Sequence, residues 1–86
     1  MNRRVILFHL REAAEELKRT IEEVASEAEY DADDLEVGMG HFYHHLNTAW
    51  NGRYQTDEQF RTSSVGDFVR FRRFPKAEEF VYLEES

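Results

Sequence analysis

The stretch Leu35-Glu-Val-Gly-Met-Gly-His-Phe-Tyr-His-His-Leu-Asn-Thr-Ala-Trp-Asn51 decides how the chain is read. Leu35, Met39, Phe42, Leu46, Ala49 and Trp50 recur at steps of three and four, which predicts an amphipathic helix over about residues 34–52. At 100° per residue, Met39, Phe42, Tyr43, Leu46, Ala49, Trp50 and Arg53 gather on one side. His41, His44, His45, Thr48 and Asn51 gather on the other. That second side holds no Lys, Arg, Asp or Glu, whereas a helix face open to water normally carries them. The spacing alone predicts the apolar side inward and the histidine side outward.

Upstream, Ile6, Leu10, Ala13, Leu17, Ile21, Val24 and Ala28 draw one apolar stripe, and a first helix is expected over about residues 3–28. Its other faces carry Arg11, Glu12, Glu15, Glu16, Lys18, Arg19, Glu22, Glu23 and Glu27, as a solvated helix does. Between the two helices the periodicity lapses, and Asp33 stands three residues before Glu36 in the manner of a capping box. Gly38 and Gly40 weaken the first turns of the second helix by up to about 1 kcal/mol each. Asn51-Gly52 reads as a left-handed terminator.

Downstream, Thr56 and Gln59 form a second capping-box pattern that predicts a short helix to about Arg61, ended by Thr62-Ser63-Ser64. Residues 67–74 fit neither period cleanly. Phe68, Phe71 and Phe74 are three apart, while Val69, Phe71 and Arg73 would share a strand face. Short helices are expected there, with a strand as the alternative, and Pro75 is placed to open a final helical turn.

Two amphipathic helices joined by a short linker bury their stripes against each other, and something must then cover the open side. The fold expected is therefore all-α: one domain over residues 1–86, an antiparallel two-helix hairpin closed by short C-terminal helical segments. The alternative is α+β with a short strand near residues 67–74.

Composition narrows the function. The chain has 86 residues, with seven Phe, four Tyr and one Trp to build a core, and no Cys. Thiolate zinc sites, disulfides and cysteine nucleophiles are thereby excluded. A chain this short lies near the size at which oligomerisation supplies missing buried area, so a homodimer is expected. The apolar run Val5-Ile-Leu-Phe8 breaks at His9, too soon for a leader peptide, and nothing approaches a spanning helix. A soluble, cytoplasmic protein is expected, with no membrane partner and no cofactor.

The formal net charge of −7 opposes general binding to a phosphate backbone. Arg70, Phe71, Arg72 and Arg73 nevertheless interleave bases with aromatics, as single-strand binders do. The simpler reading places the rings in the core and pairs the guanidinium groups with carboxylates of the first helix. His41 and His45, at i and i+4, can converge on one metal ion, with His9, Asp57 or a symmetry mate supplying a third ligand. The adjacent Glu of a zinc-protease helix is missing. Neither a nucleophile elbow nor a phosphate loop is present, since Gly38-Met-Gly40 lacks the length of a dinucleotide fingerprint.

The remaining explanation of the uncharged face is packing, because neutral polar groups cost less to desolvate than charges. Tyr43, His44, Asn47, Thr48 and Asn51 are then the expected interaction face, covered by the C-terminal third or by another chain. The function expected is a protein–protein interaction or self-association module with no catalysis of its own, whose partner is itself or another protein.

Overall fold

A computed structural model describes residues 1–80 and is all-α, with no strand among the described residues. Helix α1 spans Arg3–Ser26 and α2 spans Ala32–Asn51. They pack against each other as an antiparallel hairpin. Short helices α3 (Asp57–Arg61) and α4 (Val65–Phe71) follow, then a 3-10 turn at Ala77–Glu79.

Each start has a chemical cause. Asn2 caps α1, its Oδ1 accepting from the backbone N–H groups of Arg4 and Val5. The same side chain reaches across the fold, Nδ2 donating to the Gln55 carbonyl and to Asp57 Oδ1, both at 2.9 Å. The start of α1 is thereby tied to the loop after α2. Helix α2 opens on an Asp31/Asp34 capping box, two residues earlier than the Asp33/Glu36 pair read from the sequence. Thr56/Gln59 and Ser64/Asp67 cap α3 and α4 in the same reciprocal way. Gly52 does end α2, but at φ −97°, so its left-handed freedom is unused. Residues 67–71 are helical, which removes the strand alternative there, and the last turn begins after Lys76 rather than at Pro75.

The seam between α1 and α2 is built from small and polar side chains. Val5, His9, Ala13 and Thr20 of α1 and Thr48 and Ala49 of α2 are buried. Gly38 lies directly against α1: a Cβ added there would lie 2.7 Å from Thr20 Oγ1. Side chains of this size let two backbones approach, which a Leu or Ile stripe would prevent.

The apolar stripes consequently do not face each other, contrary to the expectation from spacing. On α1 the stripe lies about a quarter turn from the line that meets α2, and on α2 it is displaced by a similar angle. Leu17 is 41% exposed, Ile21 58% and Leu46 38%, while His9 is only 7% exposed. The hairpin therefore has two unlike broad faces. One receives α3 and α4, with Phe8 packed edge-on to Phe60 at 5.2 Å and His44 against Phe68 at 4.4 Å. The other carries both apolar stripes.

Candidate functional site

The histidines sit inside and beside the seam. His9 Nδ1 lies 3.2 Å from His45 Nδ1, a distance at which one neutral ring donates and the other accepts. The His44 ring stands 4.7 Å from that of His45, and its Nδ1 is buried without a hydrogen bond. Desolvation, reinforced by the neighbouring imidazoles, lowers the pKa of His9 to about 4. Desolvation also lowers that of His44, helped by His45, Arg72 and His41. Both rings are uncharged at neutral pH, which suits a packed interior.

His41 and His45 both point toward α1, but to separate partners. His41 remains mostly exposed, with Nδ1 3.7 Å from Glu16 Oε2, whereas His45 meets His9. Among the described residues, no three His, Asp or Glu side chains are grouped so as to hold a metal ion. Asp57, the other candidate third ligand, binds Asn2 and Arg4 at the far end of α1.

The uncharged polar residues of α2 receive the chain's own C-terminal third. Asn47 Nδ2 donates to the Arg72 carbonyl at 3.1 Å. Asn51 Nδ2 donates to the carbonyls of Phe71 and Arg73, both at 2.7 Å. Thr48 Oγ1 turns back to its own helix, donating to the His44 carbonyl. Tyr43 meets Phe74 edge-on at 5.1 Å and stays at the rim. Of the two coverings expected for this face, the chain itself provides one.

The basic and aromatic cluster is engaged in the same way. Arg70 pairs with Asp67 at 2.8 Å and lies over the Phe71 ring, Arg72 lies over Phe68, and Arg73 stands 3.8 Å from Glu79. The carboxylates are neighbours in sequence, not the glutamates of α1. Phe71 lines a cavity of about 240 Å³ with Phe8, Phe60 and Phe68, and His9 and Gln55 also border it.

Among the described residues, the uncovered surface is the opposite face. At one end Ile6, Leu10, Leu46, Trp50, Pro75 and Phe80 line an apolar groove of about 510 Å³. Trp50 is held there by Phe80, whose ring is 4.8 Å away, by a hydrogen bond from Nε1 to Glu79 Oε1, and by the Arg53 guanidinium 3.8 Å over its ring. Beyond the groove Leu17, Ile21, Val24 and Leu35 extend the apolar surface along the hairpin, each more than two-fifths exposed. No helix of the described residues is long and apolar enough to cross a membrane. Comparison with protein families, with curated proteins and with solved structures finds no match to the chain.

The sequence reading placed the histidines away from the core and passed over His9, Asn2 and Thr20 as structural residues. The signal for His9 was the line His9, Ala13, Glu16, Thr20, spaced four, three and four, which marks a second stripe of small and polar side chains on α1.

Proposed function

We propose that the chain is a helical interaction module that works by docking protein against the bare apolar face of α1 and α2, with no catalysis of its own. The observation that carries this reading is the continuous row of exposed Leu, Ile and Val side chains on that face, since soluble monomers rarely leave such a patch open. The polar residues that could perform chemistry support it too: the hydrogen bonds of Asn47, Asn51, Thr48 and His45 hold the fold together. A cytoplasmic setting belongs to the proposal and rests on the absence of cysteine.

A docking face and a folding core respond differently to polar substitution. At high dilution, where association is absent, Leu17→Gln and Leu46→Gln should each cost less than about 1 kcal/mol in urea unfolding followed by Trp50 fluorescence. A loss of about 2–5 kcal/mol, the usual cost of emptying a core position, would show that this face is part of the protomer's interior and would remove the reading.

A further inference from the structure

We infer that the occupant of the bare face is a second copy of this chain, and that two hairpins close face to face about a two-fold axis into a four-helix bundle. The inference rests on the docking reading above and names its partner.

The chain exposes 6661 Å². A folded monomer of its 10.3 kDa is expected to expose about 5,400 Å². The excess of roughly 1,300 Å² exceeds the roughly 800 Å² that each partner contributes to a standard stable interface. The radius of gyration agrees: 14.8 Å against about 12 Å for a compact monomer of this length. The chain is a slab, 21 Å across its thinnest dimension, and stacking one slab on another makes it compact.

The face consists of two antiparallel helices whose stripes lie side by side, and the natural complement of such a surface is another helical pair packed ridge into groove. A two-fold interface needs one self-complementary patch and nothing else, which is the least demanding way to cover this face. Among the described residues of the protomer, the buried apolar ones are Val5, Ala13 and Ala49. In the dimer, Leu10, Leu17, Ile21, Val24, Leu35 and Leu46 would form a second and larger apolar layer.

Each chain carries −7, so any docking of two copies must keep like charges apart. The stripe positions of α1 carry no ionisable side chain and its glutamates lie on its other faces, while Arg53, the charged group bordering the groove, is drawn over the Trp50 ring. An association driven by apolar contact between like-charged bodies tightens as salt rises, because screening weakens the repulsion between them.

Light scattering on the purified chain tests this. The wild type should show roughly twice 10.3 kDa at high concentration, fall toward the single-chain mass on dilution, and hold the dimer to lower concentrations in higher salt. Ile21→Glu and the milder Leu46→Gln should shift dissociation to at least tenfold higher concentration. Val69→Glu, an exposed apolar position on α4 at the covered side, should leave the mass at two copies. A wild type that stays at one chain mass at every concentration overturns the inference, as does a dimer indifferent to both face substitutions. The dilute unfolding experiment separates the two levels: a monomeric wild type with near-normal Leu46→Gln stability removes the second copy as occupant but leaves the docking face standing.

Discussion

His9 and His45 face each other across the hairpin with their Nδ1 atoms 3.2 Å apart, so the closest polar contact between the two long helices is one that neutral rings make and charged rings break. Around them stand His44, which is also desolvated, and Arg72 and Asp67 of the C-terminal third. Two protonated imidazoles at this distance would repel, and neither has a carboxylate partner among the described residues.

Acid should therefore loosen the fold well above the carboxylate range. The unfolded chain takes up a proton on His9 near pH 6.5, whereas the folded chain resists until about pH 4. The stability this contributes is complete above pH 6.5 and is lost as pH falls from 6.5 toward 4. Urea midpoints measured across that window should fall with pH, and His9→Leu should flatten the slope. An unchanged midpoint between pH 7 and pH 5 would contradict the buried, neutral placement of His9.

Two glycines of α2 should respond with opposite signs. Gly38→Ala gains helix propensity but drives a Cβ to within 2.7 Å of the side chain of buried, β-branched Thr20, and the chain should lose about 1–2 kcal/mol. Thr20→Ala in the same chain should recover most of it, giving a large coupling in a double-mutant cycle. Gly40→Ala meets nothing within 4 Å and should gain up to about 1 kcal/mol. Thermal melts of the wild type, the three single variants and the double variant check all of this, and equal effects at the two glycines would contradict the close approach at Gly38.

Asn2 joins the start of α1 to the α2–α3 loop by a cap and two long-range hydrogen bonds, so Asn2→Ala should cost about 2 kcal/mol, above the ordinary price of a cap. Helix content at saturation should change little while the urea midpoint falls. A loss of only a few tenths of a kcal/mol would mean that the bridge to Gln55 and Asp57 contributes nothing.

Asn51 holds the end of α4 through the carbonyls of Phe71 and Arg73. Asn51→Ala should release that segment, and the readout is the rate of tryptic cleavage after Arg70, Arg72 and Arg73. A several-fold acceleration with α1 and α2 still helical is expected. Cleavage at the wild-type rate would show that the aromatic contacts of Phe68 and Phe74 suffice to hold α4.

The helices themselves were legible in the sequence. Periods of three and four located α1 and α2 to within two residues at either end, and the Thr56/Gln59 box marked α3 because a capping box is a local, reciprocal pair of hydrogen bonds. The orientation of the faces was not legible. An apolar stripe states which side of a helix avoids water, but not whether the neighbour that covers it is in the same chain. What decides the seam here is closeness: Thr20 against Gly38, with Ala13 and Ala49 also buried, brings α1 and α2 together on their small residues and turns Leu17, Ile21 and Leu46 outward. Gly38 was read as a cost to helix propensity, and its role as a contact surface becomes visible only once its partner is known. The same holds for the histidine-bearing side of α2, which the spacing turned outward and the structure sets against α1 and the C-terminal third. Its coverings, α1 over His45 and the carbonyls of residues 71–73 over Asn47 and Asn51, are long-range and leave no local signature.

The decisive measurement is the solvent accessibility of methyl groups at high protein concentration, read as line broadening by a soluble paramagnetic agent. Methyls of Leu17, Ile21, Val24 and Leu46 should be shielded by the second chain and become accessible on dilution, while Val65 and Val69 are broadened throughout. If Leu17 and Ile21 broaden as strongly as Val65 in the concentrated sample, the bare face stays open to water and self-association through it is wrong.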